Sequence, residues 1–447
     1  MGYFNNIRSV AKYESKLLMR SWFYRIFLIL AVLFISIFNI AMLVADGGGM
    51  WMMKAISSNI PYVNLLFLNT GQAVIAVFLS SEFLKTDKKL DTSEVFYVHP
   101  LSNAEYVAGK IWGNMLVFLR LDLIIIAIVV LFNLASGVQV DVLAYVTYFL
   151  LICIPTLIYI FGLSISLMLI LKNQAITFVI LLGYIGLTLF YIEDKFYYLF
   201  DYMVYNLPLV KSSIVGFTNF ETLVNHRFIY LLLGLGFVCI AIFLFRRLPN
   251  TKYGKYRWLG VGFLFILSGL TAGYRHIDSI LSRENRRALY TETNNQYVHA
   301  PKMTVSRYHI DIEQTIDGVK AEVKMNAVPL ENASQFIFCL NPSLRVTAVT
   351  ENGAELKYQR DNQIINIDFN RELQPGDSIE FAIQYEGQID DGFCYLDIPK
   401  EILQESYSNF AFRIDKKYSF QTADYVLFTP ETYWYPRPGT SYSSASP

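Results

Sequence analysis

Nowhere in the chain does a G-x-x-x-x-G-K-[ST] stretch occur, so nothing here binds ATP through a P-loop. The five histidines are His99, His226, His276, His299 and His309. None is followed by Glu and no two lie four apart, so the H-E-x-x-H arrangement that holds zinc and activates water is absent. Cys153, Cys239, Cys339 and Cys394 form no C-x-x-C pair, which removes the usual zinc and redox motifs. Serines abound, yet nothing places a base beside one. Charge is scarce: 17% of residues are Asp, Glu, Lys or Arg, against about 25% in an average soluble protein. The net charge of zero gives no electrostatic footprint for nucleic acid.

The missing charge is unevenly spread. Long charge-free runs fill the first two thirds, and charges return after Arg275. A spanning helix needs about 20 mostly apolar residues. Seven stretches qualify: 26–45, 60–81, 115–134, 142–171, 174–192, 228–245 and 258–274. Asn64, Asn69 and Gln72 interrupt the second, and Pro155 gives the fourth a reason to kink. Fifteen basic residues fall in loops on one side, from Arg8 to Arg257. Four fall on the other: Lys54, Lys195, Lys211 and Arg227. That bias places the N-terminus in the cytoplasm and, after seven spans, everything beyond Tyr274 outside. The first 25 residues are basic with apolar Ile7, Val10, Leu17, Leu18 and Trp22. They read as an amphipathic helix in the cytoplasmic interface, with a solvated basic tail as the plain alternative. The first apolar run is too long for a cleaved signal and lacks a small-residue cleavage site. The outer loop 193–227 is expected to form short interfacial helices, with a re-entrant segment as the alternative.

Past about residue 304 the hydrophobic period becomes two. Tyr308 to Glu313, Ala321 to Met325, Ile364 to Phe369 and Ser378 to Ile383 alternate, separated by Asp317-Gly318, Asn352-Gly353, Pro375-Gly376-Asp377 and Glu386-Gly387. Such spacing predicts an antiparallel β-sandwich. Residues 275–303 read as a polar, partly helical linker. Cys339 and Cys394 either pair, if this domain is extracytoplasmic, or remain buried thiols.

The stretch 82–110 is the most informative. Thr92, Glu94, Val95, Phe96, Pro100, Glu105, Tyr106, Gly109 and Lys110 resemble the charged loop between the second and third spans of type-2 ABC exporter permeases, the ABC-2 family. Asp91 stands where that family usually has Gly. The likeness covers about residues 1–247 and includes the entry helix and six spans. It implies a separate ABC ATPase subunit that docks on Thr92, Glu94, Phe96, Pro100, Glu105 and Tyr106, and a homodimer or heterodimer of permeases. A solvated loop joining two spans is the plain alternative. A second likeness covers about residues 300–440. Tyr308-His309-Ile310-Asp311-Ile312, Leu373-Gln374-Pro375-Gly376-Asp377, Ile383-Gln384-Tyr385-Glu386-Gly387 and Trp434-Tyr435-Pro436 resemble the N-terminal β-sandwich of M1 zinc aminopeptidases. A known arrangement fuses such a permease to such a region, and this chain is similar to it. The catalytic half is not in this sequence, so the expectation is a truncated form or a fragment of a longer M1-type metallopeptidase. Any zinc would belong to that missing domain, and no cofactor is expected here.

The expected architecture is therefore an α-helical transmembrane bundle of about seven spans followed by an extracytoplasmic β-sandwich. Its parts are an interfacial helix (1–25), a six-span permease domain (26–247), a seventh span (248–274), the linker (275–303) and the sandwich (304–447). Arg120 and Asp122 lie inside the third span, where buried ions are costly and often functional. A structural contact with a neighbouring helix, or snorkelling of Arg120, is the plainer reading. The leading functional expectation is a multi-pass permease subunit of the cell (inner) membrane, embedded in the lipid bilayer and not itself an enzyme. A membrane-anchored peptidase fragment and a peptide-binding scaffold are the alternatives.

Overall fold

A computed structural model describes residues 2–44, 56–81, 101–192, 195–207, 209–214, 216–217, 220–245, 255–315, 318–398, 418–421 and 426–442. The chain divides into two compact units, residues 1–278 and 279–447 apart from a short stretch at 408–415.

The first unit is helical. Its elements are α1 (Gly2–Arg20), α2 (Trp22–Val44), α3 (Asn59–Ser81), α4 (Asn103–Ala135), α5 (Val142–Tyr148), a π-turn (Phe149–Cys153), α6 (Ile154–Leu171), α7 (Gln174–Phe190) and α8 (Phe220–Leu244). A ninth helix, α9 (Lys255–Gln296), begins in this unit and ends in the second. Five helices are long and apolar enough to cross a membrane by length and composition: Trp22–Val44, Asn59–Leu79, Asn103–Ala135, Val142–Leu171 and Phe220–Leu244. The fifth expected span is the shorter helix Gln174–Phe190, and the seventh is the first part of α9. That helix does not stop at Tyr274 as a separate span and linker would require. From Arg275 to Gln296 there is no Gly or Pro to end it.

α1 does not float free in an interface. It lies along the start of α4, where Gly109 and Gly113 admit it. A Cβ on Gly113 would come within 2.6 Å of Ala11 O, and one on Gly109 within 2.7 Å of Val10 Cβ. Glu14 pairs with buried Lys110 at 3.2 Å. α6 and α8 meet through Gly162 and Gly234 in the same way, backbone against backbone. Between α6 and α7, Lys172 takes a left-handed conformation (φ 54°) and Asn173 caps the next helix through Ala175 N and Ile176 N. The two helices thus join in a tight hairpin.

The second unit carries two antiparallel sheets, ordered β1-β2-β8-β4-β5 and β11-β3-β7-β6, and a two-stranded ribbon, β9 with β10. The strands are β1 (Met303–Thr315), β2 (Gly318–Pro329), β3 (Ala333–Cys339), β4 (Arg345–Glu351), β5 (Ala354–Glu355), β6 (Lys357–Asp361), β7 (Ile364–Leu373), β8 (Ile379–Gly387), β9 (Ser419–Gln421), β10 (Val426–Phe428) and β11 (Arg437–Pro438). One core joins the sheets face to face. Val323, Met325 and Ile383 come from one, Phe336, Ile365 and Ile367 from the other. Phe381 sits edge-on to Phe338 and to Phe369, each with ring centres 5.3 Å apart. At the β1–β2 turn Gly318 (φ +141°) approaches Gly387 O so closely that a Cβ would stand 2.1 Å away. The other face of β3 and β7 is covered by Tyr290, Phe393 and Tyr433. Cys339 and Cys394 are both free and buried. The pairing considered above is not formed, and burial pushes the Cys339 thiol up to about 12.

The Gly162–Gly234 crossing generates a direct test. Gly234→Val drives a methyl group into the Tyr159 backbone, which is held by its own helix, and should destabilise by about 1–3 kcal/mol. Gly186→Ala, with nothing within 4 Å of its Cβ, should be neutral. Thermal midpoints in nanodiscs are the measurement. Equal midpoints for Gly234→Val and wild type would contradict this packing.

Candidate functional site

Polar side chains on three apolar helices meet inside the first unit. On α3, Asn64, Asn69 and Gln72 follow one face and are completely buried. They explain why this span looks weak in sequence. Asn64 exchanges amide hydrogen bonds with Asn39 of α2, at 2.6 and 3.2 Å. Asn69 Nδ2 donates to Met203 O at 2.9 Å and to Thr156 Oγ1 at 3.3 Å. Gln72 Nε2 donates to Asp122 Oδ1 at 2.7 Å.

Arg227 is the centre of this constellation. It was counted above as an outer-loop cation, but α8 begins at Phe220 and Arg227 is only 1% exposed. The cause lies in Pro155. A proline has no N–H to give the carbonyl four residues earlier, so Leu151 O loses its helical partner. The backbone widens there into the π-turn. Arg227 Nε donates to Leu151 O at 2.6 Å, and Nη2 reaches Thr156 Oγ1 at 2.8 Å and Ile152 O at 3.4 Å. Its Nη1 donates to Tyr202 O at 2.9 Å. A planar fork of five donors suits this task, where a lysine would not.

Tyr202 belongs to an irregular segment. Among the described residues of 193–219 there is one short 3-10 turn, Lys195–Tyr198, rather than several interfacial helices. Asp201, Tyr202, Met203, Val204, Asn206, Leu207, Leu209 and Val210 are buried, which favours the re-entrant alternative. Non-helical backbone among apolar helices must have its polar groups satisfied by protein, and here they are. His226 Nε2 donates to Tyr198 O at 3.0 Å, His276 Nε2 to Tyr197 O at 3.1 Å and Tyr148 OH to Leu209 O at 2.9 Å. Tyr230 OH donates to Leu199 O, and Ser58 Oγ to Lys211 O. Asp201 in turn accepts from Tyr205 N at 3.0 Å and Asn206 N at 2.6 Å.

The residues singled out in sequence fall in three places. Thr92, Glu94, Phe96 and Pro100 lie outside the described residues. Glu105 and Tyr106 do not project from the bundle, as a docking surface would. Ser102 and Glu105 form a reciprocal capping box at the start of α4, and Glu105 Oε1 accepts from Asn6 Nδ2 of α1 at 2.9 Å. Tyr106 stacks on Phe245 with ring centres 5.3 Å apart. Arg120 and Asp122 part company. Arg120 is exposed and touches Met19 Sδ at 3.7 Å, whereas Asp122 is completely buried. Sequence reading missed Arg227 and Thr156. The available signal was Pro155 inside an apolar run, which guarantees an orphaned carbonyl four residues back.

The second unit uses arginine similarly. Arg287 donates to Gly392 O at 3.2 Å and to Cys394 O and Tyr395 O, and burial lowers its pKa. Among the described residues no group of three or more His, Cys, Asp or Glu side chains is placed to hold a metal ion. Among the described residues, His226 and His276 commit Nε2 to carbonyls, and His309 stands exposed beside Asp311 at 3.4 Å.

No protein-family model and no curated protein matches the chain. Solved structures that match include an M1 zinc metallopeptidase from Deinococcus radiodurans, at 21% identity, 20% of this chain, 21% of that chain and a TM-score of 0.19. A mutant of it bound to a Tyr-Ser-Ala substrate matches with the same values. The chain thus spans about a fifth of the length of the structures it matches.

The Arg227 site yields a clear expectation. Arg227→Met leaves the Leu151 carbonyl buried without this donor, at about 1–3 kcal/mol, while Tyr202 O keeps Thr156 Oγ1 at 3.1 Å. Arg120→Met should stay within about 0.5 kcal/mol of wild type. A thermal midpoint that falls for Arg227→Met alone is the predicted outcome. Equal midpoints for the two variants would remove Arg227 from the centre of the bundle.

Proposed function

We propose that this chain is the permease subunit of an ABC-type exporter, driven by a separate ATPase and paired with a second permease. In this reading the second unit is an outward-facing, peptidase-like sandwich. The observation that carries it is the anchoring of α4. This helix begins shortly after residues 82–100 in sequence and is clamped at its first three turns. α1 holds it through Glu14–Lys110 and Asn6–Glu105. The end of α8 holds it through Asn103 Nδ2 to Phe245 O at 2.8 Å and the Tyr106–Phe245 stack. A push on the loop would thus move α1, α4 and α8 together, and α8 carries Arg227 into the polar interior. With no P-loop in the chain, that push has to come from another subunit.

A membrane-anchored peptidase is the second reading. A tether has no use for a buried polar interior, since burying polar groups is costly unless every one is paired. The loop Thr92–Pro100 is the proposed ATPase contact, with Glu105 and Tyr106 supporting its base from inside.

Co-purification with the ATPase subunit tests this. Glu94→Lys should lose most of the recovered ATPase at equal permease expression, because a close like-charge contact can cost several kcal/mol by rough estimate. Glu105→Gln keeps the shape of the cap and should retain it. Unchanged recovery with Glu94→Lys would leave the loop as a connector and remove the support for an exporter.

A further inference from the structure

Asp122 is a completely buried carboxyl midway along α4, with Leu121, Ile125 and Phe118 as apolar neighbours on its own helix. The polar groups facing it are few. α3 brings Gln72, the π-turn brings the Cys153 thiol, and α2 brings Tyr24, whose hydroxyl donates to Val117 O at 3.3 Å. Arg227 of α8 also acts on Cys153, but its guanidinium is committed to carbonyls. Arg120, on the same helix, is exposed and turned to Met19. Among the described residues no Lys or Arg forms an ion pair with Asp122. A lone carboxylate away from water is strongly disfavoured and neutralises instead.

The orientation of Gln72 identifies how. Nε2 donates to Asp122 Oδ1 at 2.7 Å and to Phe118 O at 3.4 Å; a carbonyl can only accept, so turning the amide round would set its oxygen against Phe118 O. Gln72 Oε1 and Asp122 Oδ2 are both buried with no hydrogen bond among the described residues, and the weak S–H donor of Cys153 is all that faces the carboxyl besides the amide. Two buried acceptors with at most one weak donor between them are an unbalanced set. One proton on Oδ2 removes the charge and turns one of the two acceptors into a donor.

We propose that Asp122 and Gln72 form a proton-binding site inside the helical unit. The carboxyl is held as the neutral acid, and the proton leaves to water as hydronium, its bonding pair staying on the carboxylate, when the bundle opens and wets the site. Protonation is thereby linked to the packing of α3 against α4. This inference stands apart from the permease reading, since it needs neither the loop nor an ATPase.

The test compares the full chain in nanodiscs with Asp122→Asn, whose carboxamide is a permanent mimic of the neutral acid. A group held neutral when folded and ionised when unfolded loses stability as pH rises. From about pH 5 to about pH 7 the wild-type midpoint should fall relative to the variant by about 2 °C per pH unit, and the difference should level off once the folded carboxyl ionises too. Parallel curves would overturn the proposal. So would a sodium-dependent rise, against choline at fixed pH, in wild type but not in Asp122→Asn, because that assigns the site to an alkali cation. Should Asp122→Asn not fold, infrared spectra of wild type with side-chain carbon-13 aspartate decide. An isotope-shifted carboxylic-acid C=O band at about pH 6 is expected, and its absence would overturn the site.

Discussion

One guanidinium determines how the helical unit is built. Pro155 removes a donor from the backbone, the π-turn opens, and Arg227 fills the gap from another helix. The same side chain reaches Tyr202 O, so the defect in one helix and the irregular segment beside it are resolved together. Without that fork, Leu151 O loses its side-chain donor and Tyr202 O keeps Thr156 Oγ1 at 3.1 Å. The other polar residues of the spans follow from the same constraint. Asn69, His226, His276, Tyr148, Tyr230 and Ser58 each donate to a carbonyl of the irregular segment, and so serve the backbone rather than water. The close Gly162–Gly234 crossing brings α6 and α8 near enough for Arg227 to reach.

The second unit solves a smaller version of the same problem by different means. Its core is aromatic and shared by two sheets. Where the chain leaves regular structure, after Gly387, Arg287 gathers the carbonyls of Gly392, Cys394 and Tyr395. Asn341 does likewise for Asp390 O and Thr432 O, at 3.1 and 2.8 Å. Arg360, lowered to about 10 by burial, donates to Leu340 O and Asn341 O. In both units, buried loops persist because side chains replace the hydrogen bonds that helices and sheets make for themselves.

The strands were legible because alternation at Tyr308–Glu313, Ala321–Met325, Ile364–Phe369 and Ser378–Ile383 reports a half-buried sheet directly, and the turns at Asn352-Gly353 and Glu386-Gly387 supply positive φ where the chain reverses. The long apolar runs were legible for the same reason. Hydropathy cannot see which polar residue is inside. Arg227 sits one residue before an apolar run and looks like a loop cation. Glu105 looks solvent-facing until α1 is laid over it, and α9 reads as a span followed by a linker because composition changes at Arg275 while helix propensity does not. Asn64, Asn69 and Gln72 looked like flaws in a span and are its buried polar residues.

Hydrogen exchange of the chain in nanodiscs examines the central constraint most directly. If the irregular segment is held inside the bundle by Arg227 and its neighbours, amides from Tyr202 to Val210 should exchange as slowly as those of α6 and α8, and lose that protection selectively in Arg227→Met. Rapid, loop-like exchange of those amides in the wild-type protein would contradict the buried segment and everything built around it.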